Sequence, residues 1–557
     1  MNLLEQASLI ITPNAYSENA VFTAKPINFN DGFIPLSRAT TATRVNSSGN
    51  VNLVPYNLLQ YSQDFDNAVW NKVDTTITAN TTVPPIGFEY ADTMSVTGTT
   101  SRVIAPNTLT TGIYTLSVWM RILSGSGTMR FNLTIDGVNT SVIFSPTTQW
   151  QRFTTTFNVP TTATLIAFRA QTFVGDVAIW GAQLVQGTSA LDYFFTTDRL
   201  DVPRIDYSLG GCPTLLLEPQ RTNLILQSSF FDNASWSKSN SSIAVNTTTS
   251  PSGLLDADSF IGNGTAAVTH TIQQNRNVTN GTVYTFSFYA KKNTNNFIQV
   301  LGTSTGFGVN NWANFDLNLG VVGSKGTSST SSIESVGNGW YRCIATFTAT
   351  STVSATLTFV LITSASSARQ ETNALSTSVF LWGAQFEVGR YATSLIPTIT
   401  TTVTRNTDIL FKGNMFSEGY ITSAGGTWLV DIKNNKSLTR DADGAGIELT
   451  DNSFPFGNSL SIRNTGTGRL VVGKRVSSVY TNLYTTLTDD VKIVIKWNGS
   501  TASVFVNGSL VVSSTSFTAT SLNSFQATAS SVPFYINKMI FYPIPLDNGQ
   551  CTVLSTI

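Results

Sequence analysis

One histidine, three cysteines and a charged fraction of only 11% set the first limits on this 557-residue chain. His270 is the single histidine, so a Ser-His-Asp triad has one place to stand, and "AAVTHTIQQN" around it reads as a strand and not as a nucleophile-facing loop. A lone strand histidine is expected at the surface or half-buried, and it has no second histidine to share a metal with. Cys212, Cys343 and Cys551 lie far apart, which excludes zinc spacing and a disulfide framework and fits unpaired thiols in a protein made in the cytoplasm. Basic and acidic residues number 32 each, and a net charge of zero argues against nucleic acid as a partner, because polyanion binding needs clustered Lys and Arg. No apolar run approaches the ~20 residues of a membrane span, so no membrane insertion is expected. Residues Met1 to Thr12 show neither a basic n-region nor a cleavage site, so no signal peptide is expected. The Asn-x-Ser/Thr triplets follow from composition and carry no meaning without a secretory route. No Walker or dinucleotide fingerprint occurs, and "DADG" (441–444) lacks the downstream ligands of a calcium loop. The reading is therefore of a chain with no catalytic residue, no metal and no cofactor.

What is abundant is Thr, Ser and Asn, which favour strands and turns over helices. The length suggests about three to four domains, each large enough to bury a core without staples. The chain also repeats itself. Asn57–Lys72 aligns with Asn223–Lys238 at an offset of 166, with nine of sixteen positions identical, among them Phe65/Phe231, Asp66/Asp232, Trp70/Trp236 and Lys72/Lys238. The offset becomes 170 at Tyr114/Tyr284, 190 at Trp150/Trp340 and 202 at Trp180/Trp382, where "WGAQ" recurs. An offset that only grows is what loop insertions in the second copy would produce. Two homologous domains follow, at 57–198 and 223–404, joined by a linker at 199–222.

Within each copy the pattern is β. "GIYTLSVWMRI" and "GTVYTFSFYAKK" alternate at period two, with Tyr114, Leu116, Val118 and Met120 on one face, as in a half-buried antiparallel strand. Short strands separated by Gly, Asn, Ser and Pro turns give a jelly roll of about eight strands per copy. Trp70, Trp150 and Trp180 each have a counterpart in Trp236, Trp340 and Trp382. They are read as a structural core signature, because large aromatics dominate core energetics, with sugar stacking as the alternative. Asp66-Asn67 before Trp70 is read as a turn and not as a cation site.

After Arg405 the pattern changes. "GTWLVDIK", "DVKIVIKW", "ASVFVNGSLVVS" and "VPFYINKMIFYP" are strands, and Asn498-Gly499 and Asn507-Gly508 mark hairpins. This order is similar to a concanavalin A-like, laminin G-type sandwich, which places that fold at 405–557. The chain lacks the acidic Glu-x-Asp-x-Glu strand of the related glucanases, so the resemblance implies binding or scaffolding. The joint "RLDVPRIDYSLGGCPTLLLEPQRT", the close "WGAQFEVGRYATSLIPT" and the opening "LIITPNAY" with "SRATTATRVNSSG" resemble virion proteins of tailed phages, the crAss-like phages among them. Copy one departs from the pattern at its end, where "WGAQLVQGTSALDYFF" lacks the Tyr-x-Thr-Ser-x-Ile-Pro close.

The expectation is thus an all-β protein: two tandem carbohydrate-binding-module-like jelly rolls followed by a concanavalin A-like sandwich. The resemblance implies a non-enzymatic virion protein, a head fibre first and a tail fibre or receptor-binding protein as the alternative. It would be made in the host cytoplasm and displayed on the virion surface. Its partners would be itself as a dimer or trimer, other capsid or tail components, and host-surface glycans. A polysaccharide depolymerase and a free-standing sugar-binding module are the competing classes, because carboxylates can pair across strands unseen by sequence. Residues 1–56 stand outside the three domains. Their apolar run Leu9, Ile10 and Ile11, with Pro13 and Tyr16, is either an extra strand of the first domain or a docking arm that adds a strand to a virion partner.

Overall fold

The computed structural model describes all residues except 1–2, 14–20, 25–35, 39, 55–56, 86–89, 106, 192, 194–195, 197–201, 374, 423, 434–445, 452–456, 465–469, 487–489, 518–521, 530–532 and 557. Tyr16 and the 441–444 stretch therefore lie outside the described residues. The protein is all-β, as its composition required, with short helices at Leu3–Gln6, Ser304–Phe307 and Asn548–Ser555 among the described residues. It forms two compact units. One holds 1–21, 42–54 and 204–557, and the other holds 22–41 and 55–203.

The second unit carries copy one. One layer runs Thr75–Thr82, Ala91–Val96, Gly175–Gln186, Leu109–Ile122 and the first half of Gln151–Ala170. The other runs Val138–Phe144, Met129–Ile135, the second half of Gln151–Ala170, Arg102–Ala105 and Asn71–Val73. The strand Gln151–Ala170 serves both layers, pairing with Leu109–Met120 early and with Met129–Ile135 late. Tyr114, Leu116, Val118 and Met120 point into the shared core, as the alternation required.

Copy two, in the first unit, repeats the plan with two six-stranded sheets. The counterpart of the long strand is broken into Trp340–Thr348 and Val353–Leu361. The growth in offset is more than loop. Between 170 and 190 the extra residues supply two strands, Val321–Lys325 and Thr330–Ser335, each of which closes the edge of one sheet. The strand Val283–Lys292 is buried on both faces and not half-buried as expected. Phe286 and Phe288 enter the core. On the opposite face, Tyr289 joins an outer cluster with Val51, Trp340, Trp382 and Leu395. Val51 reaches that cluster from a hairpin, Thr43–Val45 with Val51–Leu53, whose Val51 N–H donates to the Pro251 carbonyl at 2.8 Å.

The C-terminal sandwich has an aromatic centre in which Trp428 stacks on Phe541 at 5.8 Å, with Phe525 edge-on. Both Asn-Gly hairpins form: Val491–Trp497 pairs with Thr501–Val506, and that strand with Ser509–Ser516. Asn507 and Gly508 take φ of 47° and 80°, the left-handed pair that a two-residue hairpin turn requires.

Two boundaries need correction here. Leu9–Pro13 is neither outside the sandwiches nor a strand of copy one. It pairs antiparallel with the last strand of the chain, Leu9 opposite Phe541 and Ile11 opposite Met539. Leu9 and Ile11 are buried, Ile10 packs on the opposite face against the cluster that holds Cys551 of the C-terminal helix, and Pro13 ends the strand half-buried. The physical reason is that an apolar pentapeptide buries its backbone groups best on an open sheet edge. The supposed linker 199–222 also contains sheet. Arg204–Asp206 pairs with Thr214–Leu217, which pairs with Phe534–Ile536 of the same last strand. Arm strand and joint strand lie end to end along one side of Phe534–Tyr542, with Gly426–Lys433 on the other.

Candidate functional site: an outer-face cleft on copy two

The repeated residues form a common clasp before they form any site. Asp92 accepts from the Phe65 N–H at 2.8 Å and from the Asn80 N–H at 3.0 Å. Asp258 accepts from Phe231 and Asn246 at 3.0 Å each. Burial pushes both carboxyls above the ordinary aspartate value, and the backbone donors oppose that rise. Asn67 caps a turn through the Val69 N–H, and Lys72 donates to the Asp66 and Asn67 carbonyls, as Lys238 does to Asp232 and Asn233. These contacts fit the turn reading of Asp66-Asn67.

The tryptophans divide by place. Trp70 and Trp236 lie in the main cores, and their indole N–H groups donate to the Tyr61 and Gln227 carbonyls at 3.0 Å. Trp340 donates to the Thr249 carbonyl at 2.9 Å, and Trp150 repeats the bond to Val83 at 3.0 Å. Trp150 is half-buried, and Arg121 sits 5.4 Å from its ring centre, so one face is already taken. Trp180 and Trp382 are buried on the outer side of their sheets. Trp180 packs against Tyr193 at 4.5 Å, and Trp382 against Tyr289 at 5.3 Å. The glycine that follows each has φ of 64° or 60°, at a register shift opposite Ser117–Trp119 or Ser287–Tyr289. A Cβ on Gly383 would meet the Tyr289 ring at 3.0 Å. The Trp-Gly-Ala-Gln words thus encode a bulge that lays an aromatic side chain across the outer face.

On copy two that face is the floor of a cleft of about 290 Å³, near the small end of ligand sites. Residues of three adjacent strands line it: Tyr289, then Arg342 and Ile344, then Thr330, Ser331, Ser332 and Glu334. Arg44 and Val45 of the hairpin, Asp206 and Glu218 of the joint, Tyr391 and Tyr535 complete the wall. The Arg342 guanidinium lies 5.5 Å from the Tyr289 ring centre and donates to the Thr393 carbonyl. Arg221 lies over Tyr391 at 5.1 Å and donates to its hydroxyl at 3.1 Å. Asp206 accepts from the Val45 and Ser208 N–H groups at 2.8 and 2.9 Å, while burial pushes its carboxyl up. Burial also raises the Tyr289 phenol, so it stays a neutral donor and acceptor.

Behind the cleft a buried ionic cluster locks the joint. Glu218 meets Arg204 at 2.5 Å and Arg405 at 2.9 Å, Arg204 also holds Asp408, and Ser394 donates to both Glu218 oxygens. Burial alone would raise Glu218, yet Arg405 and Arg204 hold its carboxyl far below the usual range. The words Arg-Ile-Asp-Tyr and Leu-Leu-Leu-Glu-Pro-Gln-Arg-Thr are therefore the text of this cluster.

His270 is fully buried, which corrects the expectation of a surface or half-buried residue. Its Nδ1 lies 2.7 Å from the Asn240 carbonyl, and Nε2 accepts from the Leu375 N–H at 3.3 Å, so both ring nitrogens are used by backbone. Cys212 is exposed, and Cys343 and Cys551 are buried; all three are free thiols. Sequence reasoning missed Tyr289, Arg342 and Glu334. The signal available was the cross-copy match of Arg152 with Arg342 beside the paired tryptophans.

No protein-family model matches the chain, and no curated protein matches it. Among solved structures it is similar to the N-terminal CBM22-1-CBM22-2 tandem domain of Paenibacillus barcinonensis Xyn10C, at 10% identity over 60% of this chain and 97% of that one, TM-score 0.22. It is also similar to domain 4 of AbnA, an extracellular arabinanase of Geobacillus stearothermophilus, in complex with arabinotriose, at 14% identity over 30% and 82%, TM-score 0.22. A third is an archaeal virus protein with a triple jelly roll fold and turret assembly, at 10% over 87% and 95%, TM-score 0.17. With identities and scores this low, function is read from the chain's own geometry.

Proposed function

We propose that the protein is a non-enzymatic, glycan-binding β-sandwich protein of a phage virion, mounted as a head fibre and engaging host-surface saccharide through the cleft on copy two. The observation that carries the reading is the lining of that cleft: hydroxyls from Thr330 and Ser332 and charged groups from Arg342 and Glu334, over a floor that holds the buried Tyr289 ring. A saccharide is ringed by hydroxyls, and a lining of hydroxyls with an arginine and a carboxylate offers donors and acceptors that answer them. Ser332 is exposed, so Ser332→Trp fills the cleft without disturbing a core. On a panel of bacterial surface glycans the full chain binds a subset, and Ser332→Trp lowers that binding at least tenfold while melting unchanged. Equal binding by both proteins removes the cleft from the account. The virion part rests on the resemblance of the joint to phage virion proteins and is tested by mass spectrometry and antibody labelling of particles. A tail fibre differs only in where the label falls, and a label absent from particles leaves a free-standing sugar-binding module.

A second reading, a polysaccharide depolymerase, is favoured by one observation: Asp206, Glu218 and Glu334 line the same cleft, and burial raises the Asp206 carboxyl. Glu218 is committed to two arginines and Asp206 to backbone donors, so the binding reading ranks first. Release of reducing ends that Asp206→Asn and Glu334→Gln both abolish would reverse that order.

A further inference from the structure

Exposed strand edges are templates for pairing, and proteins blunt them with brevity, charge, proline or bulges. Most of the sheet edges in the two copies follow this rule. Asn71–Val73 and Ser237–Ser239 have three residues each. Thr75–Thr82 and Ser241–Thr249 are broken by register shifts around Asn80 and Asn246, which adopt φ of 55° and 53°. Thr330–Ser335 carries Glu334, and Val321–Lys325 is short, shifted in register and ends on lysine.

Val138–Phe144 of copy one does not follow it. The strand reads "VNTSVIF", without charge or proline. It pairs with Met129–Ile135 in unbroken register over seven residues, and among the described residues it ends its sheet. Val138, Val142 and Ile143 are 65%, 39% and 56% exposed. Copy two shows what such an edge takes. The strand in the same place, Trp312–Asp316, is covered by Val321–Lys325, part of the segment that copy one lacks.

We propose that Val138–Phe144 is a homodimer interface, pairing antiparallel with the same strand of a second copy across a two-fold axis at Ser141. In that register Val138 faces Phe144, Asn139 faces Ile143 and Thr140 faces Val142. The strand is self-complementary because it bears no charge to repel its own image. A differently charged partner would find no ionic group on it to recognise. The pair extends the sheet and supplies the strand that copy two supplies for itself. One strand pair buries less than a standard interface of roughly 1,600 Å², so the dimer is expected to dissociate in the micromolar range and to gain strength when other contacts hold two chains together.

The test uses the full chain. Sedimentation velocity across a concentration series shows a monomer–dimer equilibrium. Thr140→Lys with Val142→Lys sets lysines opposite one another twice per dimer, and it weakens association at least tenfold with the melting profile retained. Ser141→Cys, in a Cys212→Ser background that removes the exposed thiol, gives a disulfide dimer on mild oxidation that reductant reverses. A chain that stays monomeric at all concentrations overturns the proposal. So does an oligomer indifferent to the lysines, or one that Ser141→Cys fails to cross-link.

Discussion

At the residue scale the fold is held by a few buried polar groups. Asp258 accepts from two backbone N–H groups, those of Phe231 and Asn246. Asp258→Ala strands both, and its expected cost is about 1–3 kcal/mol, read as a lower denaturation midpoint for copy two. Asp92→Ala does the same to copy one. Glu218 is the other such residue. Its carboxyl is held below the ordinary glutamate value of 4.5, so its contribution is fully present above that value and is lost as pH falls below it, where the unfolded chain takes up the proton first. Glu218→Gln removes one side of a buried ion cluster and should cost about 3–5 kcal/mol at neutral pH. The stability gap between the two proteins narrows as acid is added below the ordinary glutamate range; a gap that stays constant down to strong acid would show the cluster contributes nothing through charge.

At the scale of elements, what sequence made legible was local. The two Asn-Gly hairpins, the alternating strand at Tyr114–Met120 and the Asp66-Asn67 turn all follow from residues within a few positions of each other. The partner of Leu9–Pro13 was not legible. Ser8 donates to a carbonyl 533 residues away, and an apolar pentapeptide says that it needs an edge without saying whose. The joint strands were hidden for the same reason, since Arg204, Glu218, Arg405 and Asp408 meet only in three dimensions. The cleft was legible only in part. The repeat announced Arg342, but Glu334 stands on a strand present in one copy alone. The placement of the arm makes a firm forecast. Ile11 is fully buried, so Ile11→Ala should cost about 2–5 kcal/mol, and deletion of residues 1–13 should lower the melting temperature of the C-terminal sandwich. An unchanged melting profile after that deletion would return the arm to the role of a detachable docking segment.

At the scale of the molecule, the order along the chain is not the order of assembly. Residues 42–54 and 204–557 belong to one compact unit, and copy one is an excursion between them. The Val45 N–H donates to Asp206 at 2.8 Å and the Tyr207 N–H to the Val45 carbonyl at 3.0 Å, so the two flanks of the excursion are already joined. Replacing 22–41 and 55–203, each with a short Gly/Ser linker, should leave a folded, protease-resistant unit with its cleft intact. A product that aggregates or is digested throughout would show that copy one is needed for the rest to fold. The central claim is that the cleft beside Tyr289 receives saccharide. It is tested most directly by photo-cross-linking the full chain to a diazirine-bearing oligosaccharide from the host surface and mapping the modified peptides. The account predicts labels within 289–292, 330–346 and 390–395, competed away by unlabelled saccharide and lost in Ser332→Trp. Labels confined to copy one or to the C-terminal sandwich, or spread evenly and indifferent to competitor, would contradict it.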